Sequence, residues 1–179
     1  YSMGMIDESK AKVCMGHLEV KGFQMHKGQI NEQGYEKELF KKFHTVFTGH
    51  FHHKSDDGHI YYLGNPYEIY WNDYKDQKGF HIFDTETMDL ERIVNPLTIF
   101  EKIYYDDTQE DYTNHDVSKY ARKYVKLIVV NKKDLYKFDM FTEKLLKANA
   151  HEVKIIEDFS DTNADNVSDD IVKYAEDTT

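Results

Sequence analysis

Apolar positions along the chain fall in short runs separated by polar loops, a pattern of many strands and few helices. Lys12–Met15 is an apolar run closed by Gly16-His17, which predicts a buried strand ending in a loop. Within Glu32–Phe43, the residues Tyr35, Leu39, Phe40 and Phe43 recur at helical spacing and predict a helix. Thr45–Thr48 predicts a second strand, again closed by Gly and His, at Gly49-His50. Ile60–Leu63 and Phe80–Asp84 read as strands on either side of a loop from Gly64 to Gly79, and Glu91–Val94 and Thr98–Tyr104 read as further strands.

After residue 104 the pattern changes. Residues 105–116 are acidic and polar and read as a linker. Tyr124–Val130 is strand-like, Leu135–Ala148 helical and Glu152–Ile156 strand-like again, a β-α-β order that marks a small module over 117–158. Residues 159–179 are rich in Asp, Asn, Ser and Thr and read as an acidic, partly disordered tail, with a short helix possible over Val167–Ala175. The expected organisation is therefore a first domain over 1–104, the linker, the module and the tail.

Composition narrows the class. A chain of 179 residues with 40% hydrophobic and 31% charged residues is globular, long enough for one core or for a partial domain plus a small second one. No apolar run approaches the roughly 18 residues of a membrane helix. With Cys14 as the sole cysteine there is no internal disulfide, which fits a reducing cytoplasm. The net charge of -10 argues against simple electrostatic binding of nucleic acid. The acidic excess lies in Asp56-Asp57, in 104–116 and after Asp158, whereas six of the ten histidines fall within 9–54. A metal site binds phosphate through its ions, so a metal-dependent protein need not be basic.

The histidines carry the candidate chemistry. Gly16-His17 and Gly49-His50-Phe51-His52 both follow apolar strands. A glycine at a strand end lets the backbone turn, and the imidazole after it can project from the sheet edge. His50 and His52 are two apart, so in an extended segment they share a side while Phe51 points to the other. Two same-side imidazoles plus His17 from a neighbouring strand make a metal-ligand set. The plainer reading of a single Gly-His at a strand end is a surface histidine. Three histidines also fall short of a hydrolytic site, because a bridging carboxylate normally holds two cations about 3.5–4 Å apart. Glu19 falls beside His17 by alternation and reads as a supporting or surface group, and Asp56 and Asp57 read as a solvated turn.

Gly49-His50-Phe51-His52 resembles the last metal-binding motif of calcineurin-like phosphoesterases, and Gly16-His17 resembles the motif before it. The runs Tyr61-Tyr62-Leu63-Gly64-Asn65-Pro66 and Lys78-Gly79-Phe80-His81-Ile82-Phe83-Asp84 resemble the strand-loop-strand of SbcD-type DNA nucleases. Gly22-Phe23, Lys27-Gly28 and Phe83-Asp84-Thr85-Glu86-Thr87 are similar to the tailed-phage recombination endonuclease small subunit. The resemblance covers 12–104; over 120–158 it is only a shared β-α-β order. It implies an α/β fold: the C-terminal part of a four-layer sandwich of two β-sheets flanked by helices, followed by a small α+β capping module.

The resemblance also implies a function. The family's upstream motifs, an Asp-x-His, a Gly-Asp and an Asn-His-Asp, do not occur here. They supply the bridging Asp, further ligands and the catalytic His, so no catalytic residue is assigned to this chain. A chain that begins at Tyr1 without them is expected to be part of a longer protein, inactive alone and exposing sheet surface. Carried over by position, His17 and His50 would bind one of two divalent cations and His52 the other, the metal being manganese in such nucleases. His26, His53 and His59 have no motif support. The implied reaction is phosphodiester hydrolysis on DNA, by exo- or endonuclease action in recombination and repair. The implied partners are an SMC-like ATPase subunit and a second copy of the parent protein, in a cytoplasm that is the host's if the gene is a phage's. The Gly64–Gly79 loop would lie over the site, with Asn65, Tyr67, Tyr70 and Trp71 contacting DNA by stacking, or else only packing the loop. The alternatives are a metal-free interaction or binding module, and a phosphoesterase acting on something other than DNA.

Overall fold

The computed structural model describes residues 2–26 and 28–157, and the chain divides after Leu97 into two units. The first unit begins with helix α1 (Ser2–Glu8) and strand β1 (Val13–Gly16), followed by a small hairpin of β2 (Gln24–His26) and β3 (Gln29–Ile30). Next come β4 (Thr45–Thr48), β5 (Ser55–Asp56) and β6 (Ile60–Tyr62), then a second hairpin of β7 (Gly79–Phe83) and β8 (Leu90–Val94). Four strands form one sheet in the order β1-β4-β6-β5, with β1, β4 and β6 parallel and β5 antiparallel to β6. Every residue of β4 is buried, as expected of a central strand covered on both faces. On one face Val46, Ile60 and Tyr62 join Val20, Phe23, Phe40, Phe43 and Phe51 in a core. On the other, Phe47 meets Phe83 of β7 edge to face at 4.9 Å. Among the described residues β1 pairs with β4 alone, and its Met15 is exposed, as are Phe80 and Ile82 on the outer face of β7.

The helix expected over Glu32–Phe43 is not there. Only a 3-10 turn at Lys37–Phe40 forms. The reason lies at its start. Tyr35 bridges Val20 in parallel, donating its N–H to Glu19 O at 2.8 Å while its carbonyl accepts from Lys21 N at 3.1 Å. Gly34, at φ +99, lies so close to this segment that an added Cβ would sit 2.3 Å from the Glu19 carbonyl. These backbone bonds take the groups a helix would use. Phe40 and Phe43 still reach the core, because spacings of three suit a 3-10 turn as well as an α-helix.

The second unit is a three-stranded parallel sheet, order β11-β10-β9, built from β9 (Phe100–Asp106), β10 (Tyr124–Asn131) and β11 (Glu152–Glu157). Helix α2 (Leu135–Leu146) connects β10 to β11. Asp134 caps it by accepting from Lys137 N at 3.1 Å. Phe138, Phe141 and Leu145 of α2 pack with Ile103, Tyr105, Val125, Leu127 and Val129 of the sheet.

The boundary differs from the expected one. β9 belongs with the second unit, and the stretch expected to be a linker is part of that unit's body. Tyr112 is buried and stacks on Tyr105 at 4.4 Å. Its hydroxyl donates to Tyr104 O at 2.9 Å and accepts from Asp106 N at 3.2 Å. The acidic residues around it close turns: Asp111 accepts from Thr113 N, and Asp107 accepts from the N–H groups of Lys133 and Asp134. The mixed α/β class agrees with expectation. No helix among the described residues is long and apolar enough to cross a membrane. The tail over 159–179, with its expected helix at Val167–Ala175, lies outside the described residues.

Candidate metal centre

β1 and β4 run parallel with Gly16 opposite Thr48, so the chain leaves both strands at the same end of the sheet. Leu18 is then pinned to the neighbouring strands. Its N–H donates to Thr48 Oγ1 at 2.9 Å, and its carbonyl accepts from Thr48 Oγ1 at 3.1 Å and from Tyr62 Oη at 2.9 Å. Tyr62 Oη in turn accepts from Val20 N at 2.7 Å. Two buried hydroxyls thereby fix the backbone on the far side of His17. Gly16 and Gly49 have no left-handed φ, and nothing lies within 4 Å of a Cβ built on Gly49. The turn after Gly16 is held by the hydroxyl anchors on Leu18 and does not call on a left-handed glycine.

His17 and His50 meet as a result. His17 Nε2 and His50 Nδ1 are 2.9 Å apart, with the rings edge to face at 4.8 Å between centroids. One nitrogen donates and the other offers its lone pair. The spacing also suits a shared cation: two nitrogens at a metal–nitrogen distance of about 2.0–2.1 Å and a right angle lie roughly 3 Å apart.

His52 does not follow the alternation expected of it. Residues 50–53 form bends and not a strand. Phe51 drops into the core and stacks on Tyr62 at 4.6 Å, while the carbonyl of His52 accepts from Lys78 Nζ at 3.0 Å. Pulled from both sides, the segment bends, and the His52 ring turns to Asp73 and Tyr70. Its Nδ1 is 3.5 Å from Asp73 Oδ2, and its ring stacks on Tyr70 at 5.4 Å with 6° between planes. Among the described residues, no group of three or more His, Cys, Asp or Glu side chains is arranged to hold a metal ion. The structure thus brings His17 and His50 together and gives His52 a separate set of partners.

Sequence reasoning missed the ion network beneath His52. The ammonium of Lys78 is buried and donates to Asp73 Oδ1 at 2.7 Å and Asp76 Oδ2 at 2.8 Å, as well as to the His52 carbonyl. Asp73 Oδ2 accepts from the N–H groups of Ile69 at 2.8 Å and Tyr70 at 3.1 Å. Burial pushes the Asp73 carboxyl upward, but the bonds from Lys78, Ile69 and Tyr70 together hold it below the usual carboxylate range. Asp76 Oδ1 is 2.9 Å from His53 Nδ1. The only hint in the sequence is a Lys beside Gly79 at the end of a loop that also carries two Asp residues.

The loop aromatics differ among themselves. Tyr67 and Tyr70 are exposed and Trp71 is half-buried, but one face of Tyr70 already covers His52. Asn65 points inward: its Nδ2 is buried without a hydrogen-bond partner among the described residues, while its backbone bonds His52 and Gly79. His59 Nε2 lies 2.8 Å from the Phe43 carbonyl, a structural contact. His26 lines a small cavity of about 100 Å³ with His53, Asp73 and Asp76. Between β4 and the second hairpin lies a larger cleft of about 470 Å³, walled by Phe47, Tyr61 and Leu90 with Lys54, His81 and Arg92. Burial there, with the positive charges of Arg92 and Lys54, pushes His81 below its ordinary value.

No protein-family model matches the chain. The chain is similar to Exonuclease subunit 1 of Enterobacteria phage T4, at 33% identity over 156 residues; the match covers 84% of this chain, which spans 42% of the length of that relative.

Proposed function

We propose that this chain is part of a metal-dependent DNA nuclease subunit that hydrolyses phosphodiester bonds. In this reading His17 and His50 are ligands of one divalent cation and His52 is a ligand of a second, the pair being manganese. The observation that carries the reading is the meeting of His17 and His50, with ring nitrogens 2.9 Å apart at the ends of neighbouring parallel strands. The relative's name, an exonuclease subunit, supports a nuclease-related role and a partner chain in the assembly. That partner is proposed to be an SMC-like ATPase, with the nuclease subunit itself a homodimer.

When bound, the cation pair would acidify a coordinated water and stabilise charge on the phosphoryl oxygens. The contribution of this chain is to hold imidazoles in place. Thr48 and Tyr62 fix the backbone after His17, and Lys78 fixes the backbone of His52. The exposed Tyr67 and half-buried Trp71 offer aromatic faces to unpaired bases. The bridging carboxylate and remaining ligands belong, on this proposal, to residues outside these 179.

The test is manganese-dependent cleavage of labelled single- and double-stranded DNA. The 179-residue chain should cleave negligibly, because two ligands for one ion and one for the other hold no metal pair. A longer protein that supplies the carboxylates should cleave, and His50→Ala or His52→Ala in it should abolish cleavage while the circular dichroism spectrum is unchanged. Strong cleavage by the 179-residue chain that survives loss of all three histidines would refute the assignment. A folded but inactive longer protein that binds only the ATPase would favour an interaction module.

A further inference from the structure

Five side chains at the base of the Gly64–Gly79 loop form one connected set: His52, His53, Asp73, Asp76 and Lys78. Lys78 is 3% and Asp73 2% exposed, so the ion pair at the centre of the set is shielded from solvent. Each carboxylate divides its oxygens. Asp73 gives Oδ1 to Lys78 and turns Oδ2 toward His52 Nδ1; Asp76 gives Oδ2 to Lys78 and Oδ1 to His53 Nδ1. Both histidines face a carboxylate of the same ammonium through Nδ1: His53 by a hydrogen bond, His52 by a longer contact to an oxygen that also accepts from the N–H groups of Ile69 and Tyr70.

We propose that Asp73 and Asp76, clamped by Lys78, are positioning residues for His52 and His53. Each carboxylate holds its ring as the Nδ1–H tautomer, which leaves the Nε2 lone pair as the one offered outward. The contact from His53 is a full hydrogen bond at 2.9 Å. That from His52, at 3.5 Å, is longer than a good hydrogen bond. The carboxylate still decides the tautomer, because a lone pair at Nδ1 facing it would be repelled where an N–H is attracted. Tyr70, parallel to the His52 ring within 6°, restrains the ring from turning away. A carboxylate behind a ligating histidine fixes its tautomer and makes it a better ligand. The tautomer inference stands on this geometry alone; its consequence, that His52 meets a cation through Nε2, rests on the nuclease reading.

The experiment uses the 179-residue chain with ¹⁵N-labelled histidine, at about pH 8 where imidazole is neutral. Long-range ¹H–¹⁵N spectra identify the tautomer, with His52→Gln and His53→Gln assigning the two signals. Both rings should be Nδ1–H, the opposite of the form a free imidazole side chain prefers. Asp73→Ala should shift His52 toward the free mixture and leave His53; Asp76→Ala should do the reverse. A general loosening of the loop would move both rings in both variants and would overturn the proposal. Should Asp73→Ala fail to fold, the wild-type spectrum and Asp76→Ala decide, since an Nε2–H ring at either position in the wild type refutes it. Manganese alone is then added as the probe. Asp73→Ala should require roughly 10–100-fold more manganese for equal broadening of the His52 signals. If the tautomers are as expected and manganese broadens neither ring, the positioning role stands and the assignment of His52 as a metal ligand falls.

Discussion

Replacing Lys78 by Met should cost the first unit about 3–5 kcal/mol, the typical loss when one partner of a buried ion pair is removed. The methionine follows the aliphatic stem of the lysine, so little cavity forms and the loss is electrostatic. What disappears is an ammonium with three acceptors at 2.7, 2.8 and 3.0 Å. What remains is Asp73, 2% exposed, with the N–H groups of Ile69 and Tyr70 and the longer contact from His52 Nδ1 to hold its charge. The contrast is Lys41 with Glu38, where side chains 72% and 64% exposed make a pair 3.4 Å apart. Lys41→Ala should cost about 0–1 kcal/mol. Urea unfolding followed by Trp71 fluorescence reads the effect, because Trp71 is the sole tryptophan and lies in the loop that Lys78 closes. With a urea slope of about 2 kcal/mol per molar, the midpoint should fall on the order of 2 M. Adding Asp73→Asn to the methionine variant should recover part of the loss by removing the stranded charge. A Lys78→Met protein within about 1 kcal/mol of wild type, with an unmoved Trp71 transition, would show that the network is not held by its cation.

How much of this could be read from sequence depended on the range of the forces involved. The strand at Thr45–Thr48 forms as its apolar run predicts, and those of the β-α-β unit begin at Tyr124, Leu135 and Glu152 as expected. These elements follow from local periodicity; the meeting of His17 and His50 needs in addition the parallel pairing of β1 with β4 and the hydroxyls of Thr48 and Tyr62 that hold the backbone after His17. The missing helix fails for a non-local reason: Glu19, sixteen positions before Tyr35, takes the backbone of Tyr35 and closes on Gly34. The residues 105–116 looked like a linker because acidic residues suggest solvent, yet here they close turns around one buried tyrosine, Tyr112. Asp73, Asp76 and Lys78 were illegible for the same reason. Three charges in a polar loop read as surface until the fold shows that their burial is mutual. The bend at His50–His53 follows from that burial, and it undid the argument from strand alternation.

Two further outcomes follow from single atoms. Gly64 has φ +71, and a Cβ there would lie 3.0 Å from both His52 O and Lys54 N, so Gly64→Ala combines left-handed strain with a backbone clash. It should lose at least about 1 kcal/mol more than Gly28→Ala and speed proteolysis within the loop, because Gly28, with φ +84 but open space around it, adds only the strain of about 1–2 kcal/mol; equal losses would deny the close approach. In the second unit, Tyr105 is fully buried, and its hydroxyl has no hydrogen-bond partner among the described residues. Burial first, then the charge of Asp107, pushes its pKa up from 10.0 to about 12. The folded state therefore holds this proton more tightly than the unfolded chain. Its contribution is intact below pH 10 and is lost as the pH rises from there toward about 12. Tyr105→Phe removes both the stranded hydroxyl and the ionisation. It should stabilise the unit by about 1 kcal/mol at neutral pH and flatten the alkaline loss, as read by urea unfolding with far-ultraviolet circular dichroism at about pH 7 and 11. The other tyrosines titrate in both proteins, so the difference between them isolates Tyr105. A phenylalanine variant that is less stable at neutral pH, with the same alkaline slope as wild type, would mean that the hydroxyl is satisfied and its pKa is not raised by burial.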